Sequence, residues 1–469
     1  MESSPKEDDG TAAGPRREYR RALSSRQLQM MAIGGTIGTG LFLGAGTAIS
    51  QAGPSLIIWY AAAGGLLYLV MRALGEMLIN RPSSGGFADY ARDFLGPFWG
   101  YATAWTYWIM WVTTGMAEIT AAGQYVNYWY PGFDQWKTAL ISLAVLTGIN
   151  LISVKIFAEL EFWFAFIKIA AIVGMIAVGL GVLLFGFSDA AETASVTHLW
   201  ADGGVIPHGM GNSLMTLQIV LFAYLGVELI GVTAAETKDP QKNIPRAINS
   251  LPLRFGLFYI GSLLVILSIV SWQKFAPGTS PFVAAFSMIG IPGAASIVNF
   301  VVLTSALSSC NAGGLYATAR MLRTASLNGH GPGIFARLST SGVPFVAVGA
   351  SAAVMAVGVW VNAVAPEKAF TYITAVSTGG AILVWGVILV AHLRYRHEQE
   401  RDGGAEPTTY RMPGAPITNW LVLLSLSFVT VLIAWNAETR VALYVIAGWF
   451  LVLSLGWWFG GRQRGPAKP

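Results

Sequence analysis

Apolar runs of about twenty residues recur along the chain, parted by short polar stretches, and each is long enough to cross a hydrocarbon core of about 30 Å as a helix. In lipid every backbone amide must be satisfied internally, so such runs must be helices. The ten-residue alternation of a membrane barrel does not occur. Twelve spans are expected, over 27–50, 54–79, 97–129, 138–154, 160–187, 209–236, 252–272, 294–323, 343–362, 369–393, 418–436 and 440–460. The stretch PFVAAFSMIGIPG, residues 281–293, reads as a half-helix or re-entrant piece. The expected fold class is an all-α polytopic membrane protein.

Composition strengthens that reading. Only 11% of residues are charged, where a soluble chain carries about 25%. Lys and Arg set the orientation: with a cytoplasmic N-terminus, 24 of the 29 fall in inside segments, six of them in the tail 1–26. Lys137, Lys274, Lys368 and Arg440 fall outside, and Lys168 lies within a span. Both termini are therefore expected in the cytoplasm. The net charge of +5 is a topology signal, and no nucleic-acid partner is expected, since no basic cluster sits on a soluble domain. The tail 1–26 is polar and reads as disordered, without a cleavable signal peptide. Cys310 stands alone, which excludes disulfides and Cys-based zinc sites. No metal or cofactor is expected.

The first span breaks the pattern. MAIGGTIGTGLFLGAG, residues 31–46, carries six glycines in sixteen residues. Glycine costs a helix interior about 0.5–1 kcal/mol relative to alanine. Close helix packing is the simplest explanation of such spacing, and it suits Gly64, Gly65, Gly174 and Gly179. Glycines at 34, 35, 38, 40, 44 and 46 instead surround the helix, which favours a break near Ile37–Gly40. An unwound membrane segment must line a cavity. Its amides would face an anion and its carbonyls a cation, and an amino acid carries both charges. A transporter built from inverted repeats should repeat the break in its second half. Span six, LFAYLGVELIGVTAAE, offers Gly226, Gly231 and the ionisable Glu228. The spacing matches two five-helix units, 27–187 and 209–393, then two extra helices, 418–460, and a short tail, 461–469.

GGTIGTGLFLGAG, AGPSLIIWY, MRALGEM and GVELIGVTAAETKDPQKNIPRAINS resemble the amino acid permeases of the amino acid–polyamine–organocation superfamily. FLGPFWGYATAWTYWIMWVTTGMAEITA and IVNFVVLTSALSS are most similar to the D-serine/D-alanine/glycine permeases of its bacterial amino acid transporter branch. The resemblance implies a leucine-transporter-type fold in the plasma membrane. It implies that the amides of Thr39 and Gly40, with the Thr39 hydroxyl, take a substrate carboxylate beside Gly38. Carbonyls of Thr36, Phe222 and Leu225 would take the ammonium. Phe222 matches an aromatic that closes over substrate, unless it is ordinary core. Gly314 stands where some relatives carry a bulky aromatic, and with Ala223 and Gly115 it leaves the pocket walls small.

Ionisable groups at membrane depth are functional candidates by default. Lys168 lies about eight residues from its span end, roughly 12 Å, which is deep for a snorkelling lysine. In the related permeases a lysine here replaces a sodium ion, so its ammonium would meet the carbonyls of Gly34 and Ile37 and the hydroxyls of Ser308 and Ser309. Burial penalises the charged form of any amine, so Lys168 is a candidate proton carrier. Glu118 would line the pocket, or else sit hydrogen-bonded between helices. Glu228 would link proton uptake to gating beside the unwound part of span six. Glu76, Arg72, Arg320 and Arg323 fall at span ends and read as topology and interface residues.

The leading expectation is a proton-coupled importer of small neutral amino acids. The alternatives are a permease for aromatic amino acids, proline or GABA, and an exchanger without net proton flow. A sensor would add a large cytoplasmic domain, and a channel would need a continuous polar pore. An enzyme is the least expected class, since no nucleophile–base or metal constellation appears.

Overall fold

The computed structural model describes residues 37–83, 86–152, 154–186, 192–233, 239–401 and 410–461. The expected tail 1–26, the first half of span one and the last eight residues lie outside them. Within them every long element is a helix and there is no strand. A π-turn, Gly40–Gly44, runs into α1, Ala45–Ala52. Next come α2, Leu56–Asn80; α3, Phe87–Leu95; α4, Pro97–Asn127; α5, Gln135–Ile152; and α6, Val154–Phe185. Span six is divided into α7, Gly209–Met215, α8, Leu217–Ala223, and α9, Leu229–Thr233. The chain continues through α10, Pro240–Asn249; α11, Leu251–Phe255; α12, Ser262–Ile269; α13, Pro281–Ile289; and α14, Ala294–Ser309. A π-turn, Cys310–Ala317, joins α14 to α15, Thr318–Leu327. The last four helices are α16, Phe345–Val364; α17, Pro366–Arg401; α18, Ile417–Trp435; and α19, Val441–Gly456.

Among the described residues nine helical stretches are long and apolar enough to cross a membrane. The stretch at 281–293 forms the short helix α13, opened by Pro281 at a position where the missing N–H costs no bond. In α17, 72% of the most apolar window is buried, against 11% for Val441–Phe459. The first is therefore the centre of the bundle, packed on α4, and the second its lipid-facing rim.

The second expected break falls at its glycine; at the first, Ile37 and Gly38 are non-helical, and the half-helix expected before them lies outside the described residues. Leu41 and Phe42 donate to the Gly38 carbonyl, and the helix then opens into the π-turn. α8 stops at Ala223, and Tyr224–Glu228 cross to α9 as turns. Gly226 sits there at φ +102°, a conformation that an L side chain rarely adopts. Gly231 is not part of this break. It lies buried within α9, where a Cβ would meet Leu74 at 2.6 Å.

The glycines of the first break divide between two purposes. A Cβ at Gly40 would strike the Ala223 backbone, and one at Gly44 would meet Ile219 at 2.7 Å. Four residues apart, they form a packing stripe against α8, contrary to the expectation that the glycines merely surround the helix. A Cβ at Gly38 would instead meet the Glu118 carboxylate, at 2.6 Å. Elsewhere packing accounts for Gly64, where a Cβ would stand 3.0 Å from the Tyr224 hydroxyl, and for Gly179, where it would strike Val265 and Ile269. A Cβ at Gly65 or Gly174 would meet nothing within 4 Å, so packing does not explain them.

Glu76 is more than an interface residue. It is 1% exposed and accepts from Arg396 Nε and Nη2 at 3.0 and 2.8 Å and from the Met412 amide at 2.6 Å. His392 Nε2 lies 3.1 Å away, and its other ring nitrogen pairs with Asn419 of α18. One carboxylate thus ties α2, α17, α18 and the 410–412 segment together. Arg72 stacks on the Tyr410 ring at 3.8 Å and donates to the Arg411 carbonyl at the same junction.

Two outcomes follow. Gly40→Ala should lower the melting temperature of the detergent-solubilised protein, because overpacking costs about 1–3 kcal/mol while helix propensity returns at most about 1 kcal/mol. Gly65→Ala, into open space, should leave it unchanged or raise it; equal losses would refute the packing assignment. Glu76→Ala should cost roughly 3 kcal/mol, since it strands the buried His392 and the part-buried Arg396, and would show as lost monodisperse protein on size-exclusion chromatography.

Candidate functional site

The first break exposes a carbonyl and an amide at membrane depth, and buried side chains meet both. Lys168 on α6 donates from Nζ to the Ile37 carbonyl at 3.2 Å and to Ser309 Oγ at 3.4 Å. Ser305 on α14 donates to the same carbonyl at 3.4 Å. Glu118 on α4 accepts from the Thr39 amide at 3.4 Å. Lys168 is fully buried and Glu118 is 2% exposed. Two carboxylates, Glu161 and Glu118, attract the ammonium. The ion partners therefore come from three helices and converge on one unwound turn.

The second break is met in the same way. Both carboxylate oxygens of Glu228 accept from the Gly226 amide, at 3.3 and 3.2 Å. Glu228 is fully buried, with Tyr107 of α4 and Trp385 of α17 facing it. The Phe222 carbonyl accepts from the Leu225 amide at 3.1 Å. The Ala223 carbonyl is taken by the Tyr259 hydroxyl at 2.9 Å. Phe222 is buried edge-on against Phe370, with ring centroids 6.2 Å apart.

The sequence-expected residues thus gather at the two breaks, with three corrections. Ser308 does not meet Lys168 in a hydrogen bond seen here: its hydroxyl donates to Glu161 at 2.8 Å. The Thr39 amide is already engaged by Glu118, in the place expected for a substrate carboxylate. Gly314 and Gly115 are not open walls, because each would place a Cβ 3.0 Å from the other's Cα, with Met355 Cε also close. Their smallness lets α4 and the Cys310–Ala317 turn approach. Thr36 and Gly34 lie outside the described residues.

Glu161, Ser305 and Tyr107 went unforeseen. Glu161 sits at the expected edge of its span, where an acid passes for an interface residue, yet it is 1% exposed. Its place seven residues before Lys168, on the same helix face, was the available signal. Among the described residues no group of three or more His, Cys, Asp or Glu side chains is placed to hold a metal ion.

Among the described residues, titratable side chains and non-helical backbone groups meet around these two turns, a chemistry suited to a zwitterion. Comparison with known proteins gives the family. Residues 27–469 match the amino acid permease family model. The chain is 46% identical to the D-serine/D-alanine/glycine transporter of Escherichia coli (strain K12) over 448 residues, covering 95% of each protein. It is 44% identical to the amino-acid permease AapA of Bacillus subtilis (strain 168), over 94% of this chain and 95% of that one. It is also 42% identical to the L-asparagine permease of Escherichia coli (strain K12), over 95% of this chain and 89% of that one. This chain belongs to the amino acid permease family: it is a membrane transporter, not an enzyme.

Proposed function

We propose that the chain imports glycine, D-alanine and D-serine, with L-alanine tolerated, together with protons, across the bacterial cytoplasmic membrane. In this reading twelve spans cross the membrane with both termini in the cytoplasm. Residues 27–187 and 209–393 are inverted five-helix repeats, and 418–460 add two helices. The observation that carries the reading is the Lys168 ammonium on the Ile37 carbonyl, beside a Glu118 that holds the Thr39 amide. An ionised Glu118 competes with a substrate carboxylate for that amide. Protonating Glu118 frees the Thr39 amide, which takes the substrate carboxylate beside the Gly40 amide, while Lys168 passes the proton onward. Substrate and proton therefore depend on one another through a shared donor. Carbonyls of Thr36, Phe222 and Leu225 take the substrate ammonium, and Glu228, held at the Gly226 break, couples protonation to gating.

The choice of substrates rests on likeness to the D-serine/D-alanine/glycine transporter and on the tight Gly115–Gly314 contact, which limits the volume beside the breaks. One methylene changes discrimination by only about 1–3 kcal/mol, so selectivity should be graded.

Lys168→Ala should abolish accumulation driven by a pH gradient in proteoliposomes while the protein stays monodisperse. Wild-type pH dependence in that variant would exclude Lys168 as the proton carrier. Substrate choice is checked by competition against labelled D-alanine, where D-serine and glycine should displace best. If phenylalanine, proline, GABA or asparagine displaces more than D-serine, the branch assignment is wrong while the permease assignment stands.

A further inference from the structure

We propose that Glu161 receives the proton from Lys168 and delivers it to the cytoplasm, an inference that rests on the proton-coupled reading above. Glu161 and Lys168 share α6 and stand seven residues apart, close to two turns and so on one face. Their Cα atoms are about 10 Å apart along the axis, and a helical side chain leans toward the N-terminus, which carries the lysine toward Glu161. Neighbouring residues of α14 hold the two groups: Ser309 accepts from Lys168, and Ser308 donates to Glu161 Oε1. Among the described residues no hydrogen bond reaches Glu161 Oε2, which is buried. An unsatisfied carboxylate oxygen inside a protein is costly, and one on the same helix face as the proton carrier is an open acceptor.

Among the described residues the charged groups facing this pair are two carboxylates and the ammonium itself. Glu161 faces Lys168 from its own helix, and Glu118 faces Lys168 from α4. Of the residues that α14 brings to the pair, Ser305, Ser308 and Ser309 offer hydroxyls. Cys310 follows with a thiol near Glu118. The helix α12, packed along α6, contributes no charged residue. The transfer is balanced within the pair. An Nζ–H bond of Lys168 breaks, its electrons stay on nitrogen, and an Oε2–H bond forms on Glu161. Ammonium and carboxylate become amine and acid. Glu161 then releases the proton to cytoplasmic water, and Lys168 is recharged through Glu118 from the other side. In the proposed orientation α6 starts at the cytoplasm, so Glu161 lies on the exit side of Lys168.

The test compares wild type, Glu161→Gln and Glu161→Asp in proteoliposomes loaded for two assays. One is accumulation of labelled glycine driven by an imposed pH gradient; the other is glycine–glycine exchange at equal pH. Glu161→Gln should lose gradient-driven accumulation about tenfold or more while exchange stays near wild type, and Glu161→Asp should restore accumulation with a displaced pH profile. Undiminished accumulation in Glu161→Gln overturns the proposal, and so does a loss of exchange equal to the loss of accumulation in folded protein. Should Glu161→Gln fail to fold, the Asp variant decides: a wild-type pH profile overturns the proposal and a displaced one upholds it. A wild type that shows no gradient-driven accumulation sinks the coupling reading itself, and this proposal with it.

Discussion

Backbone that leaves the helix inside a membrane has no water to turn to, and this permease meets that constraint with charge. The Ile37 carbonyl takes the Lys168 ammonium, the Thr39 amide takes the Glu118 carboxylate, and the Gly226 amide takes Glu228. Each partner alone would be expensive to bury, and so would each bare backbone group. Together they offset one another. The non-helical turns and the buried titratable side chains are thus one feature: each satisfies part of what the other leaves open.

In the proposed reading the same arrangement lets the centre respond to substrate, whose carboxylate and ammonium replace side-chain partners on the same backbone groups. The surrounding helices press close to it. Gly40 and Gly44 press the first break onto α8, Gly115 and Gly314 bring α4 against the Cys310–Ala317 turn, and α17 fills the middle. At the far end of α2 the Glu76 cluster fastens α17, α18 and the 410–412 segment to the bundle.

Much of this was legible in the sequence, because the cues were local. Hydropathy marks the spans, the glycine run marks the first break, and Gly226 beside Glu228 marks the second. Lys168 and Glu118 announce themselves as charges where charge is costly. What stayed hidden depends on distance along the chain. Glu161 is held by Ser308, 147 residues away, and Glu76 by Arg396, 320 away. Gly64 and Gly65 are neighbours in sequence, yet a Cβ at one would meet Tyr224 and a Cβ at the other nothing within 4 Å. Nor could spacing reveal that Gly314 and Gly115 face each other across two helices rather than an open pocket.

The account stands or falls on whether substrate and proton move together. Proteoliposomes holding a pH-sensitive dye, with equal pH and no voltage across the membrane, are given external glycine while labelled uptake is followed in parallel. The account predicts that the lumen acidifies as glycine enters, in fixed proportion to the amount taken up. Glycine entry at an undiminished rate with no change in lumenal pH would contradict it.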